Sequence, residues 1–356
     1  MNVSSVASAF ASAMTTILVC IAAGAAIGRG CSRWPGTDML VGLGLVGGVL
    51  TLVAATTRLP LSWIMLGLAV VALLWPLARR TLPGGRSTWI ALALMLPVLL
   101  RAALSEAMLW DDFWQWLTSA AYAYAHDSLA WPDLPPSVSR WPGYPPAMPL
   151  MIAGASFLAG RFVETAGPVI NVALLAGFCA LLAEAVTAVL VREGRLKAVE
   201  PPVAVIGLAV AFAVVLNPGL DCEVLLSSYG DTGTMIAVGA LGLLGVEMLA
   251  RLAGRVAADP AEMAWRFGFV GAALINLKQA NPVLLALVTA GLAVLVLRDP
   301  AIATRRALAQ LPRMLGPAIV LFAAWRWYLS RNPAPDGGSP RRSARHDAMR
   351  LPASGV

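Results

Sequence analysis

The chain has 356 residues, 59% of them hydrophobic and only 13% charged, and its mean hydropathy of +0.75 excludes an ordinary water-soluble domain. The formal net charge of +7 sits mostly in short loops between apolar runs, which reads as membrane orientation rather than as a nucleic-acid surface. The four cysteines, Cys20, Cys31, Cys179 and Cys222, form no CxxC pair and imply neither a disulfide framework nor a zinc site.

Runs of about 18 to 23 apolar residues recur along the chain, enough to cross the roughly 30 Å hydrocarbon layer as helices. The first run has no basic segment before it and reads as a span rather than a cleaved leader. Spans are expected near 6–28, 39–57, 60–78 and 89–104, then near 167–191, 201–218, 232–250, 265–280, 282–298 and 313–330. The expected fold is therefore all-α: a polytopic bundle of about ten spans with interfacial helices in one large external loop. Its divisions are residues 1–104 (N-terminal spans), 105–166 (external loop), 167–330 (second helical region) and 331–356, a Pro-, Gly-, Ser- and Arg-rich tail expected to be disordered.

Segment 147–160 is apolar but too short to cross, and charge decides its role. If it does not cross, one side of the membrane carries Arg29 and Arg33, then Arg79, Arg80 and Arg86. The same side takes Arg192, Arg195 and Lys197, then Arg251, Arg255 and Arg266, and last Arg298, Arg305, Arg306 and Arg313. That side is cytoplasmic by the positive-inside rule. The acidic loops, with Glu106, Asp111, Asp112, Asp127 and Asp133, and later Asp221, Glu223 and Asp231, then share the opposite side. Segment 147–160 thus reads as an interfacial or re-entrant helix, which is tolerated only under a cover of protein or beside a watery cavity. On this count the basic tail falls on the non-cytoplasmic side, an awkward place for it, so the span count or the natural C-terminus is in question.

The main polar interruption is Trp110–Pro149, which opens with Asp111 and Asp112 among Trp110, Trp114 and Trp116. At the helical period Asp111, Gln115, Thr118 and Tyr122 share one stripe, while Phe113, Trp114, Leu117, Ala121 and Tyr124 share the other. The expectation is a helix lying on the membrane with its carboxylates toward water. Such acids either solvate an outer face or act as a general base or cation ligand. The prolines from Pro132 to Pro146 make the next stretch stiff. There Arg140 and Tyr144 are either surface residues or, with Trp141, a phosphate contact and a platform for sugar or lipid.

Two later motifs stand out. In SSYGDTGT (227–234), Asp231 either favours a helix N-terminus or faces the same cavity as Asp111. In NLKQANP (276–282), Lys278 lies between apolar runs and either snorkels to the interface or neutralises a lipid phosphate. His126 and His346 are the only histidines, which argues against a histidine metal site, and neither a Walker loop nor a GxSxG motif is present.

Taken in order, WDDFWQW (110–116), YPPAMPL (144–150), YGDTGT (229–234) and LINLKQANP (274–282) resemble the GT-C superfamily of membrane glycosyltransferases, near its protein mannosyltransferases and aminoarabinose transferases. The similarity covers roughly residues 100–298. It implies sugar transfer from a polyprenyl-phosphate donor to a glycan, lipid or protein acceptor, on the periplasmic or exterior face of a bacterial inner (plasma) membrane. Asp111 would be the catalytic base and Asp112 its acidic neighbour, contacting the donor or a divalent cation (Mg or Mn). Trp110, Gln115, Arg140, Tyr144, Asp231 and Lys278 would bind substrate, Tyr144 on the acceptor side and Lys278 at the donor phosphate. The sequence departs in having Asp as second acid where Glu is common, in three to four spans before the loop, and in lacking the external C-terminal region that many members carry. A polytopic transporter or flippase of envelope lipids or glycans, and a non-catalytic membrane assembly partner, are the competing readings.

Overall fold

The computed structural model describes residues 3–27, 34–79, 83–105, 109–141, 143–197, 200–216 and 222–332. Among them every regular element is helical. In chain order these are α1 (Val3–Ile27), α2 (Asp38–Thr56), α3 (Leu61–Arg79), α4 (Gly85–Leu94), α5 (Leu96–Ala103), α6 (Leu117–His126), α7 (Ala147–Ala159) and α8 (Ala166–Arg192). Then come α9 (Val203–Ala211), α10 (Cys222–Leu225), α11 (Gly230–Leu252), α12 (Pro260–Ile275), α13 (Asn281–Arg298), α14 (Thr304–Leu308) and α15 (Leu311–Arg331). Two π-helical segments, Asp112–Trp116 and Phe212–Leu216, precede α6 and follow α9. The tail from 333, with His346, lies outside the described residues, as do Arg29, Cys31, Arg33, Arg80, Glu106 and Asp221.

The all-helical membrane architecture is as expected, and six of the expected spans stand out by length and composition alone. Among the described residues six helical stretches are long and apolar enough to cross a membrane: 4–27, 35–56, 166–192, 230–252, 281–298 and 304–331. A seventh is added if α4 and α5 form one bent span. They meet at 60°, just before Pro97, whose ring and missing N–H disrupt a continuous helix. The apolar stretches 61–72, 147–159 and 203–215 are shorter. The expected span at 265–280 does not stand out by length and composition. Its helix, α12, runs only from Pro260 to Ile275 and carries Glu262 and Arg266.

Those charges are paired inside the protein rather than displayed in a loop. Arg266 is fully buried and donates to Asp38 Oδ1 at 2.9 Å, to Thr37 Oγ1 and, at 3.4 Å, to Glu262. Arg251 donates to Glu247 at 3.2 Å and to Glu262 at 3.1 Å, and Arg192 also pairs with Glu247. Glu184 accepts from Gly36 N at 3.0 Å and from the Ser87 hydroxyl. A buried ion pair is tolerated when each charge has such partners, and breaking one partner leaves an uncompensated charge. Arg251 and Arg266, expected as loop residues that merely set orientation, therefore tie α2, α11 and α12 together at one end of the bundle.

Backbones meet closely where side chains are absent. At Gly44 of α2 a Cβ would fall on the Phe269 carbonyl of α12, and at Gly42 on the Cys20 carbonyl of α1. Such contacts let helices pack by van der Waals fit where lipid removes the hydrophobic drive.

At the opposite end, α7 is buried from Ala147 to Ser156. Its first amide, Ala147 N, donates to Asn276 O at 3.1 Å, beyond the end of α12, and just past its last turn Arg161 reaches Ser5 O of α1 at 2.5 Å. At 13 residues α7 is shorter than the length needed to cross a membrane, and it is covered by protein on its first ten residues. The end of α6 is set by Asp127, a non-glycine residue at φ 51°. Its carboxylate takes the Ser62 amide at 2.7 Å and the Ser62 hydroxyl at 2.5 Å, capping the start of α3.

Candidate functional site

The two aspartates part company at the π segment. Leu117 N donates to Asp112 O, and Thr118 Oγ1 to Phe113 O, both five residues back. The wider turn breaks the 3.6-residue period, so the expected stripes do not hold. Asp112, Gln115 and Trp116 turn into the protein, while Trp110, Phe113 and Trp114 are exposed. The expectation that both carboxylates face water is thus corrected. The segment buries its polar face and presents its aromatic face outward, where indole rings suit the headgroup layer.

Asp112 is 1% exposed, and its Oδ1 accepts from Ser228 N at 2.9 Å. Burial pushes its pKa from 3.8 up to about 6, against the lowering effect of the Ser228 and Leu109 amides, with Glu164 and Asp111 adding to the rise. Asp111 is half-buried; its amide donates to the Tyr229 hydroxyl at 2.9 Å, and its carboxylate has no hydrogen-bond or ion-pair partner among the described residues. Of the pair, Asp111 is the one a substrate can reach.

Tyr229 links this pair to the third acid. Burial raises its phenol pKa above the ordinary value, and the charges of Asp111, Asp112 and Asp231 raise it further. The Asn171 amide of α8 holds the backbone here, donating to Ser227 O at 2.8 Å and Tyr229 O at 3.0 Å. Next in the chain, Gly230 lets Trp116 and the Leu277 carbonyl approach, since a Cβ there would lie 3.0 Å from the indole. Asp231 and Lys278 then form an ion pair at 2.5 Å, partly open to solvent. The turn carrying Lys278 is fixed by Asn276, which donates to Thr51 Oγ1 at 2.8 Å, and by Asn281, which donates to Leu274 O at 2.7 Å. Lys278 is therefore a paired charge, not a free one. It lines a cavity of about 280 Å3 together with Arg326 of α15, and with Pro145, Pro282, Phe322 and Trp325 as apolar walls. Arg326 has no ion-pair partner among the described residues.

The proline-rich loop is fastened over this region. Gln115 is 3% exposed and its Oε1 accepts from Ser139 Oγ at 2.5 Å and Trp141 N at 3.2 Å. Arg140 donates its amide to Trp114 O at 3.0 Å, and its guanidinium lies 5.9 Å from the Trp114 ring and 5.2 Å from the Trp141 ring. Arg140 is exposed and has no ion-pair partner among the described residues. Tyr144 packs edge-on against Trp116 with centroids 6.1 Å apart and lines a second cavity, of about 430 Å3. Pro142 lies outside the described residues.

Comparison with known proteins returns no matching family model, no matching curated protein and no matching solved structure. The reading of the site rests on its own chemistry.

Of the sequence candidates, Asp111, Asp112, Asp231 and Lys278 gather around Tyr229, Gln115 and Tyr144 border the neighbouring cavity, and Trp110 and Arg140 lie on the outer aromatic face. No group of three or more His, Cys, Asp or Glu side chains that could hold a metal occurs among the described residues. Tyr229, Ser228 and Arg326 were not among the candidates. Tyr229 and Ser228 lie inside the SSYGDTGT motif beside Asp231, while Arg326 is a lone charge in an apolar run, the same signal that marks Lys278.

Proposed function

We propose that this chain is an integral membrane glycosyltransferase of the GT-C kind, moving a sugar from a polyprenyl-phosphate donor to an acceptor hydroxyl of the cell envelope. The observation that carries the reading is the unpaired Asp111 carboxylate, on a residue whose amide donates to the Tyr229 hydroxyl, with Tyr229 in the electrostatic reach of the Asp231–Lys278 pair. An apolar-walled cavity holding Lys278 and Arg326 suits an amphiphile with an anionic head. In the proposed step the acceptor oxygen attacks the anomeric carbon and its proton passes to Asp111. The carbon–oxygen bond to the phosphate breaks, and the electron pair leaves with the phosphate oxygen, whose charge meets Lys278 and Arg326. One base on the acceptor side is enough, so the displacement inverts the anomeric centre. Lipid phosphate is already a good leaving group, and the protein's work is alignment and charge stabilisation.

Asp112 is a positioning residue in this account. Held by the Ser228 amide, it docks the π segment on the start of α11 and so sets where Asp111 stands. We further read the short apolar helices α3 and α9, the bent α4–α5 pair and α12 as crossing with the six long spans, giving ten alternating passes. That arrangement leaves α7 re-entrant and the site on the non-cytoplasmic face.

The test is transfer in proteoliposomes, with labelled polyprenyl-phosphate sugars and envelope glycan, lipid and peptide acceptors. Wild type should form product and Asp111→Asn should lose it while remaining folded. Equal product with both proteins would remove Asp111 from the mechanism. Movement of the labelled lipid across the bilayer without any transfer would favour a flippase.

A further inference from the structure

We infer that the cavity of about 430 Å3 beneath the proline-rich loop binds a neutral saccharide. Resting on the transferase reading, the acceptor of the reaction is then itself a carbohydrate. The volume lies in the range of about 300–1,000 Å3 common for small-molecule sites, and the walls are preorganised. Tyr328 Oη donates to Ala130 O at 2.5 Å, Tyr122 Oη to Pro135 O at 2.6 Å and Trp325 Nε1 to Gly143 O at 3.2 Å. These three bonds pin the loop to α6 and α15. The rings also brace each other, Trp131 edge-on to Tyr328 at 5.4 Å and Trp325 stacked on it at 5.0 Å. A site already ordered in this way spends little binding energy on ordering itself.

The unused polar groups describe the ligand. Both hydrogen bonds to Gln115 end on its oxygen, which fixes the amide and leaves its NH2 as the free end of a buried side chain lining the cavity. The Trp131 indole N–H and Asn332 Oδ1, on residues also in the lining, are buried without a partner among the described residues. Two donors and one acceptor are therefore left for a ligand that both accepts and donates, as a hydroxyl does. No Lys, Arg, Asp or Glu lines the cavity, so a phosphate or carboxylate would have no counter-ion there. A hydrocarbon chain would leave both donors unpaired. A sugar ring satisfies both demands: its C–H face rests on the negative face of an aromatic ring, and its edge hydroxyls accept from N–H groups. The cavity also shares a wall with the carboxylate pair. Gln115 lies on the π segment that carries Asp112, and Tyr144 packs on Trp116.

The test uses the full chain in mild detergent without donor, titrated with cellobiose, maltose and mannobiose and read by saturation-transfer NMR. At least one disaccharide should bind the wild type. Trp131→Phe, which keeps a ring and removes the N–H, and Gln115→Glu, which keeps the oxygens and removes the NH2, should each weaken binding about three- to tenfold. Ser119→Phe, which fills the cavity from α6, should abolish it, and Asp111→Asn should bind as wild type does. No binding to folded wild type, or equal binding to Ser119→Phe, would overturn the site. Transfer without saccharide binding defeats this inference alone, and saccharide binding without transfer defeats the transferase reading alone.

Discussion

Replacing Asp112 by Asn separates the electrostatic cost of the buried carboxylate from its shape. A rise in pKa from 3.8 to about 6 on burial corresponds to about 3 kcal/mol between the protonated and ionised forms. The sign follows from linkage. The raised pKa favours the folded state below pH 3.8, and that advantage is lost as pH climbs through about 6. Wild type should therefore lose about 3 kcal/mol relative to the non-titrating variant across this window. For 356 residues, at an unfolding entropy of about 2 cal/mol/K per residue, that is about 4 °C in Tm. The Asn NH2 facing the Leu109 amide adds a cost of its own, but one that does not change with pH. The assay is thermal unfolding of both proteins in one detergent from pH 4 to pH 8. The difference in Tm, variant minus wild type, should grow by about 4 °C. Parallel curves would refute the claim that Asp112 is ionised at a penalty inside the fold.

Three further outcomes follow. Lys278→Gln should lower kcat about a hundredfold or more by removing charge from the leaving phosphate, with a change in unfolding of no more than about 1 kcal/mol because the Asp231 pair is partly exposed; a variant with full activity would remove Lys278 from the donor site. Asp127→Ala removes the cap on α3 and should cost about 1 kcal/mol, seen as a small fall in Tm with transfer activity retained. Gly44→Val drives a side chain into the Phe269 carbonyl and should cost more than about 3 kcal/mol; a monodisperse, normally stable protein on size exclusion would contradict that packing.

Much of the bundle was legible because membrane helices announce themselves locally. Apolar length marked α1, α2, α8, α11, α13 and α15, and it also marked α7 as shorter than these. What was not legible depends on contacts distant in sequence. Arg266 looked like a loop cation because its partner Asp38 is 228 residues away. Asp112 and Gln115 looked water-facing because a π turn cannot be read from a 3.6-residue period, and the period assumed is what assigns the faces. The candidate site was found in outline, since its acids and Lys278 are rare charges in apolar surroundings. Its ordering was missed. Which aspartate is accessible depends on Ser228 and Tyr229, more than 100 residues on. The saccharide cavity is assembled from α6, the proline-rich loop and α15, and no local motif spans those three.

The central claim, that Asp111 serves transfer from a polyprenyl-phosphate sugar, is met most directly by mass spectrometry of the lipids that co-purify with wild type and with Asp111→Asn in mild detergent. The account predicts a polyprenyl-phosphate sugar retained by the variant, which can bind donor but not activate the acceptor. Ordinary phospholipids alone in both preparations, with added labelled donor also not retained, would contradict it.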